Sequence, residues 1–242
     1  MDNNLIKVFW SCGFDSTYLV CDLVLKGYTV QPFYLKNCKT KDWKRIERRN
    51  QDKEISLFPK LSEKINEIGP DKILDVVTIE AEEYKSEECS EILSRYHEIF
   101  SKEHQYSYLS NYCFQTNQII AIGLENVPKP KGSVGPWLKD FVGLHGEYLE
   151  CRPNDNILKK NPDLKIIMNW RFPITHMKKI ELAIDSIHRG FHSILKETTF
   201  CRLSEEACGK CGKCKTHFKC VNLPYNLYDI SGIVIKDSGN VF

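Results

Sequence analysis

Leu5-Ile6-Lys7-Val8-Phe9-Trp10-Ser11-Cys12-Gly13-Phe14-Asp15-Ser16-Thr17 is the stretch on which the reading of the fold turns. Leu5 to Trp10 is a short, mostly apolar run of the kind that buried parallel strands carry. Ser11 to Asp15 reads as a tight turn. From Thr17 to Lys26 apolar residues recur at Leu19, Val20, Leu23 and Val24, the spacing of one helix face. Gly27 stands where a helix C-cap would, and Tyr28 to Leu35 reads as a second strand. Strand, helix and strand in this compass make a βαβ unit, which predicts a parallel pair with a right-handed crossover. The fold class expected is α/β: a Rossmann-like parallel sheet flanked by helices, with a small C-terminal four-cysteine segment.

Outward from this unit, a helix is expected over much of Trp43 to Ile68, broken by Gly69-Pro70, with Lys72 to Ile79 as a third strand. Glu82 to His104 reads as a charged helix and Asn111 to Leu124 as a more apolar one able to pack on the sheet. From Val127 to Leu164, Pro128, Pro130, Gly132, Gly135, Pro136, Gly143 and Gly146 punctuate the chain. Loop-rich segments of that length are uncommon in compact domains. Leu164 to Met168 is expected as a late strand, Met177 to Arg189 as a helix, and Ile230 to Ile235 as an added edge strand.

The 242 residues suit one large α/β domain with a small appendage. A hydrophobic share of 42% and a charged share of 27% are ordinary globular values and exclude wholesale disorder. Lys plus Arg number 34 against 32 acids, a formal net charge of +2, too even to make nucleic acid or an anionic membrane the main partner. The basic stretch from Lys39 to Arg45 reads first as a solvated helix face. No charged region followed by an apolar core marks a signal peptide, and no apolar run approaches the roughly 20 residues that span a bilayer. Eleven cysteines without a secretory signal point to reduced thiols that bind metal or do chemistry. The expected location is the cytoplasm.

Where a strand of a doubly wound sheet feeds a helix, unpaired backbone N–H groups and the positive end of the helix dipole form an anion site. Small residues let the main chain approach phosphate, and the hydroxyls of Ser11, Ser16 and Thr17 add donors. Asp15 makes sense beside phosphate if it holds Mg²⁺. The competing reading of Ser11 to Thr17 is a Ser/Asp helix cap.

Near the other end, Cys201, Cys208, Cys211 and Cys214 follow the spacing C-x6-C-x2-C-x2-C, with Gly209 and Gly212 between them. Four thiolates close a tetrahedral Zn²⁺ site of the structural type. An iron–sulfur cluster and a zinc-ribbon nucleic-acid module are the other uses of such a set. His217 and Cys220 lie just downstream as alternative ligands.

The stretch Ser11-Cys12-Gly13-Phe14-Asp15-Ser16 resembles the PP-loop, Ser-Gly-Gly-x-Asp-Ser/Thr, of the N-type ATP pyrophosphatases, with Cys12 in place of the first glycine. It lacks the Gly-Lys-Ser/Thr ending of a Walker A loop. Together with the cysteine set, the chain looks like the 7-cyano-7-deazaguanine synthase (QueC-like) family. Phe172-Pro173-Ile174-Thr175-His176-Met177-Lys178-Lys179-Ile180-Glu181 resembles that family's Thr-Pro-Leu-Met-x-x-x-Lys-x-Glu stretch, aligning Pro173, Lys179 and Glu181. A lysine in a first helical turn opposes the helix dipole, which favours a ligand-driven reason for it over a merely exposed pair with Lys178. The family's substrate motif Val-Pro-Gly-Arg-Asn is absent; Tyr106-Ser107-Tyr108-Leu109-Ser110-Asn111 keeps only the asparagine, and Gln-Arg-His after the second strand is replaced by Lys36-Asn37-Cys38-Lys39.

The resemblance implies an adenine nucleotide alpha hydrolase-like domain over 1–198, with a loop-rich insert at about 127–163, and a zinc-binding segment with tail over 199–242. It implies ATP, Mg²⁺ and Zn²⁺ as cofactors. Ser11, Cys12, Gly13, Phe14, Asp15, Ser16, Thr17, Tyr34 and Lys179 are the expected nucleotide-binding residues, with Asp15 and Lys179 catalytic. The implied ligase chemistry adenylylates the carboxylate of a 7-deazapurine, as in queuosine biosynthesis, and a nitrogen nucleophile then gives amide or nitrile. Homodimerisation is a family expectation. Tyr106, Tyr108, Tyr112 and Trp137 are candidates for stacking on a base or for core packing, and Arg152 for an anion. Rival readings are conjugation of the activated deazaguanine to a partner protein in an antiviral defence cassette, a tRNA-modifying thiolase using Cys12, Cys38 or Cys113, and a non-catalytic nucleotide-binding scaffold.

Overall fold

The computed structural model of the chain describes residues 4–36, 51–96, 105–126, 142–201 and 208–223. The opening stretch forms β1 (Leu5–Phe9), α1 (Phe14–Leu25) and β2 (Thr29–Lys36), with β1 and β2 parallel and Val8 opposite Pro32. β3 (Val77–Glu80) pairs parallel with β2, and β4 (Ile120–Ile122) lies parallel on the other side of β1. A two-residue antiparallel pair, β5 (Leu144–His145) with β6 (Arg152–Pro153), stands apart from this sheet, which β7 (Trp170–Arg171) ends. The order β3-β2-β1-β4-β7 is all parallel, and its direction of winding reverses between β1 and β4. In such sheets the crevice at the carboxyl ends of the two strands flanking the reversal is where ligands bind.

Both faces of the sheet are covered. Alternation at period two sends Phe9, Phe33 and Leu35 into one core cluster and Val8, Trp10 and Tyr34 into the other. The first cluster packs under α3 (Glu87–Tyr96) and α4 (Gln105–Thr116); the second packs under α1 and α2 (Gln51–Ile68). Burial on both faces is why the strands read as continuous apolar runs.

The remaining α-helices among the described residues are α5 (Asp155–Lys160), α6 (Lys179–His188), α7 (His192–Lys196) and α8 (Gly212–Val221). Several expected elements are corrected. The helix expected over Asn111 to Leu124 is two elements: α4 stops at Thr116, Asn117 takes a φ of 51°, and the chain re-enters the sheet as β4. Asparagine tolerates that left-handed conformation, and a three-residue buried strand cannot be told from buried helix by periodicity. The strand expected at Leu164 to Met168 is a 3-10 turn, Pro162–Ile167, opened by a proline at its first position, and the strand follows as β7. Glu82 to His104 begins as a 3-10 turn (Ala81–Tyr84) followed by α3. Ile230 to Ile235 lies outside the described residues. No helix among the described residues is long and apolar enough to cross a membrane.

Candidate functional site

The loop after β1 is built on one strained residue. Cys12 has a φ of 52°, a left-handed conformation that a Cβ disfavours, and it turns the chain so that Gly13 becomes the N-cap of α1. Its thiol is buried beneath the loop and donates to the Glu54 carbonyl at 3.4 Å. Gly13 offers no side chain to cap the helix, so the Ser/Asp cap reading fails. Ser11 and Ser16 bond each other across the loop, with hydroxyls 3.3 Å apart, and Ser16 also reaches the Gly13 carbonyl at 3.2 Å. Thr17 points into the core, where its hydroxyl accepts from Trp10 Nε1 at 2.9 Å.

The exit of β4 lies against the first turn of α1. A Cβ on Gly123 would fall 2.6 Å from the Ser16 Cα and 2.8 Å from the Asp15 carbonyl carbon, so only glycine fits. Two residues on, Glu125 arrives beside the loop. Asn126 is pinned there by its backbone N–H, which donates to the Met177 carbonyl at 2.7 Å.

α6 begins with Lys179 from the opposite side. Glu181 accepts from the Lys178 amide at 2.7 Å, the return half of a capping box, which fixes the helix start. The Lys179 ammonium sits 3.2 Å from Asp15 and 3.2 Å from Glu125. Burial works against its charge, but the two carboxylates outweigh that and hold it above the ordinary lysine range. Burial, and then the Asp15 charge, push the Glu125 carboxyl up. Both Asp15 oxygens face the Lys179 ammonium at 3.2 Å, and a carboxylate so placed beside a helix start is of the kind a hard cation takes.

Ser11, Gly13, Asp15, Ser16 and Lys179 therefore come together at the carboxyl end of the sheet. Tyr34 is not brought to them: its side chain is fully buried, its hydroxyl on Glu54 Oε2 at 2.8 Å. Tyr108 and Tyr112 belong to the core, Tyr106 packs on Trp170 with centroids 5.7 Å apart, and Trp137 lies outside the described residues. Arg152 is engaged by both oxygens of Asp155, at 2.6 and 2.9 Å. Cys113 is buried in the core and Cys38 lies outside the described residues. Gly123 and Glu125 were missed from sequence; the signal was a glycine directly after the short apolar run Ile120-Ala121-Ile122, hidden by reading that run as helix. A groove of about 430 Å³ lies along α1, lined by Tyr18, Asp22, Tyr148, Asp185 and Arg189. Its tyrosine hydroxyls are already on carboxylates at 2.6 Å, Tyr18 on Asp185 and Tyr148 on Asp22.

The four cysteines converge. The sulfurs of Cys201, Cys208, Cys211 and Cys214 all lie within 4.8 Å of one another, with Cys208 and Cys214 3.6 Å apart. Four thiolates about a tetrahedral ion at roughly 2.3 Å stand about 3.8 Å apart, so the set can hold a metal ion. Gly209, at a φ of 66°, makes the turn that aims Cys208 and Cys211 at one point, and the amides of Cys211 and Cys214 donate to Cys208 and Cys211 sulfur at 3.4 and 3.3 Å. His217 and Cys220 stand outside the set. The His217 ring is buried, stacks on Phe200 at 3.5 Å and meets the edge of Phe14 at 5.7 Å, joining the cysteine segment to the loop. Burial, with the Lys179 charge second, lowers its pKa to about 4.

No protein-family model matches this chain, and no curated protein matches it.

Proposed function

We propose that the chain is an ATP-dependent, AMP-forming enzyme that adenylylates a carboxylate, with a 7-carboxy-7-deazaguanine-type substrate as the resemblance implies. The observation that carries this reading is the meeting of Lys179 with Asp15, 3.2 Å apart, at the uncapped start of α1 beside the sheet's reversal point. A lysine and the backbone N–H groups of a helix start are suited to a polyphosphate, and an acid beside them to its counter-ion.

In this reading Lys179 leaves its carboxylate partners for the phosphates, and Ser11, Gly13 and Ser16 line the approach of the main chain to them. Asp15 would hold a Mg²⁺ ion, which would supply positive charge for the departing pyrophosphate. The substrate carboxylate attacks the α-phosphorus, giving an acyl-adenylate, and an amine or ammonia then displaces AMP to form an amide. The chain contributes mainly positioning and charge. Zn²⁺ is the ion the four thiolates suit best, as a closed structural site with no open position for chemistry.

Incubation of the purified protein with Mg-ATP, 7-carboxy-7-deazaguanine and ammonium, followed by mass spectrometry, tests the reading. AMP with amide or nitrile is the expected result. ATP left intact in the presence of the substrate overturns it.

A further inference from the structure

We propose that Glu125 is the base that receives the nitrogen nucleophile in the amide-forming half of the reaction; this rests on the adenylation reading above. With Asp15 assigned to the cation, Glu125 is the carboxylate left at the site among the described residues. Its backbone is held on both sides, by the close approach of Gly123 to α1 and by the Asn126 amide on Met177. A reacting group mounted between two such fixed points keeps its aim.

The chemistry needs a group of this kind. An acyl-adenylate carries a good leaving group and requires no acid, but ammonium at neutral pH has no free electron pair. Glu125 attracts the cation and takes one proton from it. The freed lone pair then forms the C–N bond at the acyl carbon, the C–O bond to the phosphate of AMP breaks, and the electron pair departs with AMP. The second proton from nitrogen passes to solvent. The titratable groups facing Glu125 are Asp15 from α1, Lys179 from α6, and Lys213 and Cys220 from α8. As Lys179 turns to the phosphates, Glu125 loses its nearest cation, 3.2 Å away; the incoming ammonium takes that place beside the carboxylate, and the burial that raises its proton affinity makes it the stronger base.

The test compares wild type with Glu125→Gln and Glu125→Asp in two assays: ATP–pyrophosphate exchange with 7-carboxy-7-deazaguanine, and product formation with either ammonium or hydroxylamine. Hydroxylamine is largely unprotonated at neutral pH and needs no base. Glu125→Gln should lower exchange a few-fold through its contact with Lys179, and lower amide formation from ammonium by a further factor of about 100 or more. Hydroxamate formation should fall only as far as exchange does, and Glu125→Asp should recover part of the ammonium reaction. Equal losses with both nucleophiles would overturn the proposal, leaving Glu125 a partner of Lys179 only. Wild type without exchange would instead overturn the adenylation reading beneath it.

Discussion

The backbone amide of Thr199 donates to the Cys12 carbonyl over 2.9 Å, fastening the chain two residues before Cys201 to the strained residue of the loop. With the Phe14–His217–Phe200 ring contacts, this makes the four-cysteine segment a brace for the loop. Cys208→Ser is therefore expected to lose the metal and to destabilise the whole domain, on the order of 4 kcal/mol. Elemental analysis and thermal unfolding of the variant check this; a metal-free variant that melts like wild type would show the two parts to be independent.

Lys179→Ala leaves Asp15 and Glu125 facing each other across the position of the lost ammonium. Stability should fall by about 3 kcal/mol, because two partly buried carboxylates lose their shared cation. AMP formation should drop at least about 100-fold even at temperatures where the variant is folded. Circular dichroism beside the AMP assay separates the two effects.

At Cys12 the backbone and the side chain ask for different residues. Cys12→Ala keeps the left-handed strain and removes the buried sulfur, whereas Cys12→Gly removes both. The glycine variant should be the more stable of the two by about 1 kcal/mol, measured by denaturant unfolding. An alanine variant equal to the glycine one would mean the φ of 52° is not a strained feature of the fold.

His217 makes stability depend on acid. Its folded pKa of about 4 lies below the ordinary 6.5, so the unfolded chain binds the proton first as pH falls. Its cost is absent above about pH 6.5 and grows toward pH 4, reaching about 3 kcal/mol. His217→Phe should flatten that part of the stability profile while leaving the neutral side unchanged in shape.

Much of the frame was legible because it rests on local pattern. The apolar run to Trp10 followed by Ser11 to Thr17 reads as a strand feeding a helix, and the close spacing of Cys208, Cys211 and Cys214 around Gly209 marks a metal-binding turn. What stayed hidden depends on distant contacts. The glycine requirement at Gly123 comes from Asp15 and Ser16, more than a hundred residues earlier, and no local spacing records it. Glu125 was unreadable for the same reason, since its neighbours come from α1, α6 and α8. The burial of Tyr34 follows from period-two alternation along β2, which sends it to the face opposite Phe33 and Leu35.

The most direct measurement follows an oxygen atom. Substrate carrying heavy oxygen in its carboxylate is incubated with the protein, Mg-ATP and ammonium, and the AMP is weighed. If the carboxylate attacks the α-phosphorus, AMP gains one heavy oxygen when the amide forms. Unlabelled AMP would contradict the account, because something other than the substrate would then have attacked the α-phosphorus; ADP in its place would contradict it too, because the attack would have fallen on the γ-phosphorus.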